Sequence, residues 1–128
     1  MKLRLRGNSV RVRLTRAEVA ALGNGQTVSQ ITAFSPTDQL VSSTGASEGA
    51  KTPGAAFVDG AVRIVLPLAQ ARHWAHSEEV TLSAAQPVGA GESLALVIEK
   101  DFECLHHPDE SVDAFPNPRF QQDRPPTA

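Results

Sequence analysis

Apolar and charged residues alternate strictly over positions 2–6 and again over 10–14. Leu3, Leu5, Val10, Val12 and Leu14 share one face, and Lys2, Arg4, Arg6, Arg11 and Arg13 share the other. A repeat of two is the period of a strand with one buried face. Gly7 and Asn8 separate the runs, so a two-residue turn pairs Leu5 with Val10 and Leu3 with Val12 inside, and Arg4 with Arg11 and Lys2 with Arg13 outside. The period then changes. Thr15 with Glu18 three residues on has the form of a capping box, and Ala17 to Leu22 makes a short helix that Gly23 ends in a left-handed conformation. Strands are expected over Gln26 to Phe34 and, after the Ser35 to Asp38 turn, over Gln39 to Ser43. The small, polar, Gly-rich residues 44–54 read as a mobile linker.

The same order then recurs. Ala55 to Val58 and Ala61 to Leu66 flank Asp59-Gly60, a hairpin signal. Pro67 opens a helix that carries Leu68, Ala71, Trp74 and Ala75 on one side through about His76. Strands over Glu78 to Ala84 and Ser93 to Lys100 lie either side of a turn containing Pro87, Gly89 and Gly91. Laid over itself with an offset of 52, the chain matches Val10 with Val62, Arg11 with Arg63, Leu14 with Leu66, Ala17 with Ala69 and Val28 with Val80. The expected fold is therefore α+β and strand-dominated: a duplicated domain over 1–101 whose two similar halves, about 1–43 and 55–101, each run hairpin, short helix, strand. Together they form an antiparallel sheet or a partly closed barrel. From Phe102 onward five prolines and several acids replace the periodic pattern, so 102–128 reads as an irregular, proline-rich acidic tail.

A chain of 128 residues with 41% apolar content is sized for one globular domain. One Trp, five Phe and no Tyr leave a core of Val, Leu, Ile and Ala, with few aromatic platforms for stacking bases. Cys104 is alone and forms no internal disulfide. The N-terminus alternates basic and apolar residues where a signal peptide or membrane span needs a continuous apolar run, which places the protein in the cytoplasm and off the membrane. The net charge of −2 conceals an asymmetry: residues 1–16 carry six cations and no acid, leaving −8 for the rest.

The opening Met-Lys-Leu-Arg-Leu-Arg-Gly-Asn-Ser-Val-Arg-Val-Arg-Leu, the Glu-Lys-Asp-Phe-Glu-Cys-Leu at 99–105 and the Phe-Pro-Asn-Pro at 115–118 resemble a family of small uncharacterised bacterial proteins. The resemblance spans nearly the whole chain. It implies a bacterial cytoplasmic protein and supplies no catalytic residues. The order Val62 to Leu66, Pro67, helix to His76, and likewise Val10 to Gly25, is also similar to the swapped-hairpin DNA-binding domains of transition-state regulators and antitoxins. Here each half carries an extra preceding hairpin strand, which that family's core lacks.

On the outer face of the first hairpin, cation faces cation twice, and like charges opposed across a strand pair destabilise it by roughly 0.2–1 kcal/mol each. Nucleic-acid phosphate, a small anion, a partner's carboxylates or the chain's own tail would neutralise them, since residues 99–113 hold six acids against one lysine. Positive charge that merely guards a solvated edge hairpin needs no ligand. Cys104, His106, His107 and Asp109 are residue types that bind zinc or another divalent metal, with His73 and His76 at helical spacing elsewhere, but no second cysteine completes a paired-ligand pattern. No phosphate-binding glycine loop, hydrolase elbow or metalloprotease helix is present. The leading expectation is a non-enzymatic interaction module without a cofactor. Its Lys2, Arg4, Arg6, Arg11 and Arg13 would engage an acidic protein partner or the tail, with a homodimer open to it. The alternatives are a swapped-hairpin-like DNA-binding protein and a metal-binding or thiol enzyme using the Cys104 region.

Overall fold

The computed structural model describes residues 1–101. Its elements in chain order are β1 (Lys2–Arg6), β2 (Ser9–Leu14), α1 (Arg16–Gly23), β3 (Val28–Ala33), β4 (Gln39–Ser47), β5 (Gly54–Val58), β6 (Ala61–Pro67), α2 (Leu68–His76), β7 (Thr81–Gly89) and β8 (Glu92–Lys100). Two four-stranded sheets result: sheet A, in the order β1-β2-β8-β7, and sheet B, in the order β3-β4-β6-β5. Each hairpin is antiparallel, but β2 pairs in parallel with β8, and β4 in parallel with β6. Each sheet is therefore half from residues 1–47 and half from residues 54–100.

The first hairpin has the register its alternation demands, with Leu3 opposite Val12, Leu5 opposite Val10, Lys2 opposite Arg13 and Arg4 opposite Arg11. Gly7 takes the positive φ of 53° that a primed two-residue turn needs at its first position. At the second hairpin both Asp59 and Gly60 are left-handed. Inward residues of the central strands, Val10, Val12, Leu14, Ile64, Leu66, Leu96 and Ile98, form one core with Val19 and Leu22 of α1 and with Ala71 and Trp74 of α2.

The pairings of one sheet are reproduced in the other. Adding 52 to the β1–β2 register gives that of β5–β6, and adding 54 to the β3–β4 register gives that of β7–β8. The parallel pairs obey the same two shifts: Ser9 beside Ala95 becomes Ala61 beside Val41. A pseudo-two-fold arrangement of this kind makes residues near its axis touch their own counterparts. Gly23 and Ala75, 52 apart, do so: a Cβ on Gly23 would lie 2.6 Å from that of Ala75. Beyond the helices the shift is 54, so Val28 corresponds to the buried Leu82 instead of the 40%-exposed Val80.

Four expectations change. The single antiparallel sheet is replaced by two mixed sheets, because residues far apart in sequence supply the parallel central pairs. No closed barrel forms: the β5 and β7 edges are joined by one side chain, Gln86, whose amide accepts from the Ala55 N–H at 2.7 Å and donates to the Ala55 carbonyl at 2.8 Å. The linker is shorter than 44–54, because β4 continues to Ser47 and buries Thr44 completely. Gly23 stays helical; Asn24 is the C-cap and Gly25 is the left-handed residue. Close helix contact, and not chain termination, is what requires a glycine at 23. The tail read over 102–128 lies outside the described residues.

The capping box at α1 is complete: Thr15 Oγ1 accepts from the Glu18 N–H at 3.3 Å, and the Glu18 carboxylate accepts from the Thr15 N–H at 2.8 Å. The same carboxylate binds the Met1 ammonium at 2.8 Å, tying the start of β1 to the helix. Burial works against the charge on Glu18, but the hydrogen bonds from the Met1 ammonium and Thr15, together with the ammonium's charge, outweigh it and hold the pKa below the ordinary 4.5.

Gly23→Ala is expected to destabilise the protein by about 1–3 kcal/mol through overpacking against Ala75. Adding Ala75→Gly should recover most of that loss, since the same pair of side chains is merely exchanged across the axis; urea unfolding of the two variants measures both. A depressed folded-state pKa at Glu18 means that its contribution is complete above pH 4.5 and is lost as pH falls through the folded value. Glu18→Gln should therefore lose about 1 kcal/mol at neutral pH, the scale of a helix cap. It should also narrow the gap between unfolding free energies at neutral pH and at acid pH.

Candidate functional site

Strand alternation and pairing place the cations of β1 and β2 on the outer face of sheet A in three rows. Lys2, Arg13, Glu99 and Thr81 make the first, Arg4, Arg11, Val97 and Ser83 the second, and Arg6, Ser9, Ala95 and Ala85 the third. All five cations singled out from the sequence thus share one face. What the sequence left open is their neutralisation. Glu99 of β8 stands beside Arg13 in the parallel register, and its Oε1 binds Arg13 Nε at 2.5 Å and Arg11 Nη1 at 3.5 Å. Asp101 Oδ2 lies 3.3 Å from Lys2 Nζ, but Lys2 is 72% exposed, and pairs of that kind contribute little.

Glu99 and Asp101 are the first two acids of the 99–113 run; its other acids lie outside the described residues. Among the described residues, five cations against two carboxylates give a balance of three positive charges on the face. The surplus is uneven. Arg4 and Arg6 are exposed and have no ion pair among the described residues, whereas the Glu99 carboxylate is largely buried beneath Arg11 and Arg13. The face thus has a braced end at Glu99 and an open cationic end at Arg4 and Arg6. Chemically it can bind anions. Among the described residues its rows hold no aromatic side chain.

Beside it, a cavity of about 1090 Å³ opens between α1, the end of α2 and the end of β8, with Leu14 and Val19 at its floor. Lys2, Arg16, His76 and Lys100 contribute to its wall, with Asp101 as the acid. Lys100 Nζ donates to the Ser77 carbonyl at 2.7 Å and sits 5.3 Å from the centre of the Trp74 ring. The sequence reading did not single out Arg16 or Lys100, because the wall is assembled from separate segments with no shared local pattern.

Among the described residues no group of three or more His, Cys, Asp or Glu side chains could hold a metal ion. The Cys104, His106, His107 and Asp109 set lies outside the described residues, and His73 and His76 are exposed on the last turn of α2. No helix among the described residues is long and apolar enough to cross a membrane.

A strand-dominated α+β domain of two mixed sheets and two helices, with one cationic face, is the class these features define. The chain belongs to a family of unknown function, DUF7009, whose model matches residues 1–119. No curated protein and no solved structure matches it.

Glu99→Gln removes the carboxylate that, among the described residues, binds both Arg11 and Arg13. It should destabilise the protein by about 1–2 kcal/mol at low salt, the scale of a hydrogen bond to a charged group. Added salt screens the cations left behind, so the deficit should shrink when urea unfolding is repeated at about 500 mM salt.

Proposed function

We propose that the protein is a non-enzymatic interaction module whose cationic face on sheet A takes an acidic partner protein. The observation that carries this reading is the contrast between two faces built on the same strand registers. The counterparts of Lys2, Arg4, Arg6 and Arg13 on sheet B are Gly54, Ala56, Val58 and Val65, and only Arg11 has a cationic counterpart, Arg63. One set of pairings is thus built with a nearly neutral outer face, so the backbone does not require the cations of the other. Edge protection is satisfied by a lysine or two. Five cations, with Arg4 and Arg11 directly opposed, exceed that need and add repulsion that an anionic partner would relieve.

A flat sheet face suits a protein surface better than a nucleic-acid groove, which admits a free two-stranded ribbon. Here β2 is paired on its other side with β8, so the cationic hairpin is not free. The matching registers also support an origin of the two halves by duplication, with one outer face subsequently made cationic. A lone cysteine and the absence of a long apolar helix among the described residues favour a cytoplasmic setting.

The test is fluorescence anisotropy of the full chain with a labelled poly-glutamate peptide and, separately, with random duplex DNA. Binding of the peptide that weakens steeply between about 50 and 300 mM salt, and drops about tenfold or more in an Arg4→Ala, Arg6→Ala double variant but not in Arg63→Ala, is the expected result. Tighter binding of the DNA, with the same dependence on Arg4 and Arg6, would replace the protein partner with nucleic acid. Equal behaviour of the double variant and wild type would remove the cationic face as the site.

A further inference from the structure

The two sheets end in the edge strands β1, β7, β3 and β5. An edge presents unpaired N–H and C=O groups that template pairing with another chain unless something guards them. β1 carries Lys2, Arg4 and Arg6, and cations on an edge deter such pairing. On β5 the N–H and carbonyl of Ala55 are both taken by the Gln86 side chain. β7 carries Pro87 and a register shift between Pro87 and Gly89. β3 has none of these devices: Val28–Ala33 reads Val-Ser-Gln-Ile-Thr-Ala, without charge or proline, and its register with β4 is unbroken.

The phase of the ladder says which groups face the open edge. Phe34 donates its N–H to the Asp38 carbonyl at 2.8 Å, and this pair continues the β3–β4 register. Hydrogen-bonded and non-hydrogen-bonded pairs alternate along an antiparallel ladder. The even-numbered residues of β3 therefore bond to β4, and Ser29, Ile31 and Ala33 turn their N–H and C=O groups outward. In the other sheet the Lys100 N–H bonds to the Val80 carbonyl at 3.0 Å, which sets the same phase for β7 and β8. Pro87 thus stands at an outward position of β7, where it removes an edge donor without breaking the ladder. Its counterpart under the shift of 54 is Ala33, which keeps that donor.

We propose that β3 pairs with β3 of a second copy, antiparallel and centred on Ile31, so that the two B sheets become one continuous sheet across a two-fold axis. Centring on Ile31 engages every outward residue of the strand: Ile31 exchanges both backbone bonds with the second copy's Ile31, and Ser29 does so with the second copy's Ala33. The side chains suit a second copy. Ile31, Val41, Ala61 and Val58 form one apolar row across the outer face of sheet B, and Ile31 at its end is 63% exposed. Pairing sets the two Ile31 side chains against each other and joins the two rows. No charge on β3 opposes its own copy. The pairing uses no residue of the cationic face, so this inference and the proposed function stand or fall separately.

In sedimentation velocity the full-length protein should pass from monomer to dimer as its concentration rises over about 5–500 µM. Ala33→Pro gives β3 the residue that β7 holds at the corresponding position; it removes no bond to β4 and should weaken the dimer about tenfold or more. Ile31→Lys should weaken it to a similar degree by setting like charge against like charge. An equimolar mixture of Ile31→Lys and Ile31→Glu chains should form a mixed dimer that neither chain forms alone, which variants that had merely unfolded would not do. Circular dichroism verifies that each variant is folded. A monomer at every concentration, a dimer that Ala33→Pro and Ile31→Lys leave intact, or a mixture no more dimeric than its components would overturn the proposal.

Discussion

The parallel pairing of β2 with β8 and of β4 with β6 is the constraint on which everything else in this molecule depends. Each pair joins the second strand of one half to the last strand of the other, so neither residues 1–47 nor residues 54–100 contain a complete sheet. A hairpin by itself is marginal in water, and here four hairpins become two sheets only by exchange. The helices then meet near the pseudo-axis, where the contact between Gly23 and Ala75 sets how closely they can approach. That contact explains a glycine inside a helix, where its backbone freedom is otherwise a liability.

Equivalence of the two halves in hydrogen bonding does not extend to their side chains. Leu96 and Ile98, fully buried in sheet A, have Ser42 and Thr44 as counterparts in sheet B, also buried. The core is accordingly richer in large apolar side chains on the side of the cationic face. The outer faces differ more. On sheet A, Glu99 binds Arg11 and Arg13 and steadies one end of a cationic surface, while Arg4 and Arg6 project from the edge strand without a carboxylate among the described residues. On sheet B the corresponding surface is nearly uncharged, with Ile31 and Val58 exposed. A rigid backbone shared by both faces lets the charge pattern vary without redesign of the fold, since outward residues contribute little to the core.

The cavities beside the two helices also differ in size among the described residues. Beside α2 the loop following β4 lies against the helix start, and Glu48 and Ala50 reduce the space to a small pocket. Beside α1 the described residues line a cavity of about 1090 Å³. The segment after β4 must return to begin β5, and that return brings it against the start of α2.

Local patterns in the sequence determined the hairpins and the helices. The alternation of residues 2–14 fixed the β1–β2 register to the residue, because a slip by one position would turn Val10, Val12 and Leu14 outward. Thr15 and Glu18 marked the start of α1, and Asp59-Gly60 marked the second hairpin turn, since both signals depend on bonds within a few residues. The gathering of Lys2, Arg4, Arg6, Arg11 and Arg13 on one face followed from the same alternation. Tertiary structure alone decided the rest. Parallel pairs between residues more than 80 positions apart for β2 and β8 leave no periodic trace, so neither the exchange of strands nor the place of Glu99 beside Arg13 could be read locally. Thr44 and Gly45 looked like linker residues because they are small and polar, yet they extend a central strand whose pairing with β6 buries them. Gly23 looked like a helix stop, but the neighbour that requires it is Ala75, which only the packing of one helix against the other brings within reach.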